Sequence, residues 1–182
     1  MKLTYTAIKT FDHQSDGWEK YKEWIKLPQL EEIISLDSML NPCVFDIDND
    51  DPEEFDYFYI EGNVIRGSVY TSLDFVTKKS QNVSERYNIL ALQKEPTTDC
   101  ALIKIDGFTF IGYDLLDKDY IASALTNCGG FYESYSPHDI NKSGLISDFT
   151  KIHKIREDIL TNNPLEDHAD CFIWAIWKKD KA

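Results

Sequence analysis

The stretch from Asp170 to Trp177 constrains the fold more than any other, because neither of its alternating faces is polar. In an extended chain Cys171, Ile173, Ala175 and Trp177 point one way, and Phe172, Trp174 and Ile176 the other. A strand apolar on both sides belongs inside a sheet, under cover above and below. The chain must therefore supply neighbouring strands and material for two further layers. It has 182 residues, 42% of them hydrophobic, which suits one domain spanning 1–182. A domain of this size buries roughly 70% of the surface its unfolded chain exposes, so it needs no disulfides to hold a core. Its four cysteines, Cys43, Cys100, Cys128 and Cys171, are scattered without a C-x-x-C pair and are expected reduced and buried.

The rest of the chain supplies those layers. Residues 3–10 alternate like a strand, with Leu3, Tyr5 and Ala7 on one side. Trp18, Tyr21, Trp24 and Ile25 fall at helical spacing, and Pro28 ends that segment. A strand is expected around Ile33 to Leu36, stopped by Pro42. Beyond Phe55 the pattern predicts strands at 56–61, 63–71, 73–78, 87–93, 100–106 and 108–115. Glu61-Gly62-Asn63 and Asp106-Gly107 read as turns between them. Tyr120 to Thr126 reads as a short helix ending at Cys128-Gly129-Gly130. The clearest helix covers 145–161, where Ile146, Phe149, Ile152, Ile155, Ile159 and Leu160 form a stripe stopped by Asn162-Asn163-Pro164. The expected fold is α+β: a mostly antiparallel sheet, one long C-terminal helix packed on it, and a buried final strand.

Charge narrows the function. Nineteen basic residues against 32 acidic give a net charge of −13. Such a field repels phosphate backbones and anionic membranes, and attracts a basic protein. From Leu27 to Ile65 there is no Lys or Arg, while Glu31, Glu32, Asp37, Asp46, Asp48, Asp50, Asp51, Glu53, Glu54, Asp56 and Glu61 bring eleven carboxylates. Seven of them lie between Asp46 and Asp56, where mutual repulsion costs stability. A solvated loop that keeps the protein soluble, a docking surface and a cation site would all produce such a run. The docking reading assigns partner contact to Asp46, Asp48, Asp50, Asp51, Glu53, Glu54 and Asp56, with Tyr57 and Tyr59 as aromatic anchors. Alternation puts these two tyrosines with Phe55 on one strand face, so they serve equally as core.

Enzymatic and metal motifs fail on inspection. Asp46-x-Asp48-x-Asp50 copies the start of a calcium-binding helix–loop–helix, but the required glycine is Asp51 and the closing glutamate is Tyr57. Cys128 precedes a Gly-Gly turn, with His138 or His153 as a conceivable base. No Lys or Arg occurs between Asp119 and Asn141 to favour a thiolate. The run Asp114-Leu115-Leu116-Asp117-Lys118-Asp119 is the most compact remaining set of carboxylates. It is expected to cap a helix or end a strand. No Gly-rich phosphate loop, H-E-x-x-H or G-x-S-x-G is present, so no cofactor, metal or catalytic residue is expected. The sequence has no signal peptide at its N-terminus and no run of 18 apolar residues, so the chain is expected to stay in the cytoplasm.

Two stretches carry a resemblance: Glu31-Glu32-Ile33-Ile34-Ser35-Leu36-Asp37-Ser38-Met39-Leu40-Asn41-Pro42, and Phe110-Ile111-Gly112-Tyr113-Asp114-Leu115-Leu116-Asp117 running on to Ser123-Ala124-Leu125-Thr126-Asn127-Cys128-Gly129. They resemble small acidic immunity proteins of bacterial polymorphic-toxin and contact-dependent inhibition systems. The resemblance implies a cytoplasmic, non-enzymatic inhibitor that blocks a toxin, often a basic nuclease. Two other classes compete with it. One is an enzyme with a carboxylate-based site; the other is a regulatory or structural acidic domain.

Overall fold

The computed structural model describes residues 2–11, 16–45, 55–61, 64–118, 122–127, 131, 133–166 and 168–181, with the backbone alone for Asp16, 55–61 and 64–68. Among the described residues six strands form one sheet: β1 (Thr4–Lys9), β2 (Phe55–Glu61), β3 (Val64–Tyr70), β4 (Tyr87–Lys94), β5 (Phe108–Asp117) and β6 (Cys171–Lys179). Their order is β2-β3-β1-β4-β6-β5, and every neighbouring pair is antiparallel. The strand apolar on both faces, β6, lies between β4 and β5, as its composition requires. Trp174 and Trp177 point to opposite faces and are 1% and 0% exposed.

Alternation divides the core into two layers. On one side of the sheet Ala7, Ile89, Ala91, Tyr113, Leu115, Ile173, Ala175 and Trp177 meet the helices α1 (Asp16–Ile25), α2 (Leu73–Ser80) and α3 (Phe149–Asn162). The helices contribute Trp18 and Ile25, Val76, and Ile152, Ile155 and Ile159. On the other side Ile8, Val69, Leu90, Leu92, Leu116, Trp174 and Ile176 are covered by Ile34, Leu36 and Leu145, all from irregular segments. The fold is α+β, with helices on one face and extended chain on the other.

Four sequence expectations differ from the structure. Residues 73–78 are helical, not a strand: Ser72 caps α2 by accepting from the Phe75 amide, Asp74 sits in the first turn, and Lys78 and Lys79 close the last. The 100–106 segment is not a strand either. Asp99 caps a single 3₁₀ turn at Cys100–Leu102, and Ile105 then pairs with Phe108 around Gly107 (φ 71). Residues 122–127 form turns where a helix was expected. The C-terminal helix starts at Phe149, not 145, because Asp148 accepts from the Lys151 amide and sets the N-terminus there. It has 14 residues.

A fifth expectation differs as well: Ile33 to Leu36, read as a strand, is buried but joins no sheet strand. The amides of Glu31, Glu32 and Ile34 instead donate to the carbonyls of Lys142 and Ser143. This strap crosses the second face and reaches the end of β5. There β5 is bordered by chain on its free side as well: Tyr113 exchanges two main-chain bonds with Ile146, Ala124 donates to Leu115, and Asp117 donates to Ala122. Sheet edges left open invite pairing with other chains, and this edge is closed from within.

Candidate functional site

Of the residues assigned to partner contact, Asp46, Asp48, Asp50, Asp51, Glu53 and Glu54 lie outside the described residues. Asp56, Tyr57 and Tyr59 lie on β2, the terminal strand of the sheet opposite β5. The pairing of β2 with β3 is irregular between Phe55 and Tyr57, so Asp56 sits at a bulge. Two other carboxylates of the acidic segment depart from a uniform solvated run: Glu32 is half-buried and pairs with Lys178 at 2.7 Å, and Asp37 is fully buried, whereas Glu31 is exposed and pairs with Lys142 at the surface.

Asp37 belongs to a polar cluster that unites the strap with β5 and the 122–127 turn. Asp114, on the strap side of β5, is 0% exposed and accepts four hydrogen bonds. Oδ1 takes the Ser123 hydroxyl at 2.6 Å and the Leu115 amide at 2.9 Å. Oδ2 takes the Ser35 hydroxyl at 2.8 Å and the Leu36 amide at 3.1 Å. Asp37 likewise takes four, from the amides of Met39, Leu40 and Ser123 and from Asn127 Nδ2. Both serines are already committed as donors to the carboxylates. Ser35 Oγ accepts from the Asp37 amide, and Ser123 Oγ accepts from Leu125 and Thr126. Burial pushes the Asp114 carboxyl above its ordinary range, and the nearby Asp37 adds to this, against the bonds from Ser123, Leu36 and Ser35.

On the other side of β5 the Asp117 carboxylate bonds to His168 Nδ1 and accepts from the Ala122 amide at 3.3 Å. Lys118 and Asp170 form an ion pair beside it. His168 is left-handed (φ 67), and its carbonyl accepts from the Cys171 thiol at 3.0 Å. A shallow cleft at the start of α3 is lined by Glu95, Pro96, Thr97, Phe149, Thr150 and His153. Cys43, Cys100 and Cys171 are free thiols, and burial raises the first two above their ordinary pKa. Cys128, weighed as a nucleophile, lies outside the described residues, and its two conceivable bases stand apart in the chain's turns and helices: His138 is exposed in a 3₁₀ turn, while His153 lies on α3.

No family model, curated protein or solved structure matches the chain. The site must be judged on its chemistry. A general acid or base has to reach substrate, and Asp37 and Asp114 are buried with their acceptor positions filled. They serve as a staple between the strap, β5 and the 122–127 turn. The expectation for Asp114 and Asp117, capping or a polar strand end, missed this burial. One signal for it was available: Asp114 interrupts an otherwise apolar stretch of β5, and a charge in such a place requires dedicated donors. No group of three or more His, Cys, Asp or Glu among the described residues is arranged to hold a metal.

Proposed function

We propose that this chain is a cytoplasmic, non-enzymatic binding protein that neutralises a basic protein partner, most specifically an immunity protein that blocks a bacterial toxin of the nuclease type. The observation that carries the reading is the concentration of charge. Seven carboxylates fall between Asp46 and Asp56 within a stretch, Leu27 to Ile65, that contains no basic residue. Outside that stretch the remaining 21 carboxylates (32 less 11) stand against 19 basic residues, so the excess charge is concentrated within it. The acidic stretch leads directly into β2, where Asp56, Tyr57 and Tyr59 sit at one end of the sheet. Charge at such a surface speeds encounter and selects partners of opposite sign. Tyrosines beside it supply rigid contact area of the kind enriched in interface cores.

Inhibition by occupancy needs roughly 800 Å² per partner and a few desolvated anchors, with no activated group. Stoichiometry is the test. A toxin captured from the native host at low and moderate salt should lose all activity near one equivalent of this protein. Substoichiometric, time-dependent inactivation would instead establish an enzyme. Charge reversal at Asp48, Asp50, Glu53 and Glu54 should slow association and flatten its salt dependence, with folding stability unchanged or slightly raised. An unaltered on-rate would remove the acidic stretch from the interface.

A further inference from the structure

The cleft at the start of α3 combines three features that partner binding does not use. First, Glu95 is left-handed (φ 47) and precedes Pro96. Side-chain-bearing residues avoid that conformation, and a following proline further disfavours helical backbone. Second, a clasp holds Glu95 there. Its amide donates to the Ile173 carbonyl at 2.8 Å, its carboxylate accepts from the Ile173 amide at 2.7 Å, and Arg156 Nη1 reaches both carboxylate oxygens at 2.9 and 2.8 Å. Third, His153 lies one turn before Arg156 on α3, edge-on to the Phe149 ring with centroids 4.6 Å apart. Its Nε2 is buried without a hydrogen-bond partner.

We propose that His153 and Glu95 form a proton-operated latch: when His153 takes up a proton, Glu95 leaves Ile173 and Arg156 for the imidazolium, and the junction of β4 with β6 loosens at the cleft. An imidazolium donates from both ring nitrogens, so the buried Nε2 needs an acceptor that the closed form lacks. The charged groups around the ring are Arg156 and Glu157 on α3 and Glu95 at the end of β4. Arg156 repels the new charge; Glu157 and Glu95 are both exposed, and of the two only Glu95 lines the cleft with His153. Relaxation of the left-handed backbone at Glu95 offsets part of the lost clasp.

The sign of the pH dependence follows from the ring's surroundings. Burial, and then Arg156, hold the His153 pKa below its ordinary 6.5. The unfolded or opened chain therefore binds the proton more tightly than the closed form. Closure is complete above that ordinary value and is lost as pH falls through it towards the lowered one.

Amide exchange and ring titration by NMR on the full chain test the latch. Corrected for intrinsic rates, protection of the Ile173 amide should be several-fold lower at pH 5.5 than at pH 7.5, tracking the His153 titration. In His153→Phe it should stay level, and His153→Gln serves if the phenylalanine variant does not fold. Coupling is reciprocal. Glu95→Gln should therefore lower the His153 titration midpoint, since the carboxylate favours the imidazolium. Constant Ile173 protection in the wild type, an equal fall in the His153 variant, or an unmoved midpoint in Glu95→Gln would each overturn the proposal.

Discussion

Replacing Asp114 by Asn tests whether the buried carboxylate is the staple that joins strap, sheet and turn. Each carboxylate oxygen accepts one backbone N–H and one serine hydroxyl. Whichever way the new amide turns, its NH₂ faces the amide of Leu36 or of Leu115, neither of which can accept. One backbone donor is then orphaned in a buried site, at about 1–3 kcal/mol, and the remaining bonds lose their charge assistance at about 1 kcal/mol more. The expected loss is about 2–4 kcal/mol of a total on the order of 5–15 kcal/mol. Urea unfolding followed by circular dichroism reads it directly, and thermal melting should fall by about 5–15 °C at this chain length. Glu23→Gln on the exposed side of α1 is the control and should stay within about 0.5 kcal/mol. The deficit should also vary with pH. Because the folded state raises the Asp114 pKa, it binds that proton more tightly than the unfolded chain, so wild-type stability from this group rises as pH falls. Asn cannot follow, and its deficit should grow as pH falls from neutrality towards the ordinary carboxylate range. A cost no greater than that of Glu23→Gln would refute the staple.

Gly112 (φ 139) sits at the β5 bulge, where an added Cβ would lie 2.8 Å from Leu145 Cβ and 3.0 Å from the Ile146 carbonyl; Gly112→Ala should cost about 2–5 kcal/mol in urea unfolding. Gly107→Ala, left-handed but in open space, should cost only about 1–2 kcal/mol, so equal losses would disprove the clash. Cys43 and Cys100, their pKa raised by burial, should alkylate slowly with iodoacetamide at pH 8 and quickly after unfolding; fast native labelling of either contradicts its placement. Trp24 is 53% exposed while Trp18, Trp174 and Trp177 are buried, so Trp24→Phe should remove most of the acrylamide-quenchable fluorescence, and persistent strong quenching would place another tryptophan at the surface.

What the sequence disclosed depended on how local the signal was. The two-faced apolar run of β6 and the stripe Ile152, Ile155, Ile159 each repeat with one period over several turns or pleats, so both elements were legible. The segment Leu73-Asp74-Phe75-Val76-Thr77 alternates well enough to mimic a strand. Its helical state rests on the Ser72 cap and on burial of Val76 and Ser80. Ile33 to Leu36 shows the opposite failure. Its residues are buried like those of a strand, yet the Ile34 amide donates to Ser143 and the Leu36 amide to Asp114, distant partners that no window along the chain can register. Asp37 reads in the sequence as one more carboxylate of an acidic run, and only the arrival of Ser123 and Asn127 shows it to be internal. The strand expected over 56–61 is present as Phe55–Glu61, and Asp56, Tyr57 and Tyr59 lie on it.

The place of β6 between β4 and β5 sets the timetable for assembly during synthesis. Ribosomes emit β4 and β5 well before residues 171–179, yet neither strand touches the other in the finished sheet; each bonds to β6. Until that last strand emerges, β5 lacks its neighbour in the sheet, and the indole of Trp177 is missing from beside Phe110. Closing the sheet therefore waits on pairings that span up to about 90 positions, the kind of long-range search that slows folding. A nascent chain released before Cys171 would leave two strands with exposed bonding edges and no means of joining them. Quality control acting on this protein would thus see a sharp divide, between chains that have received their final strand and chains that have not.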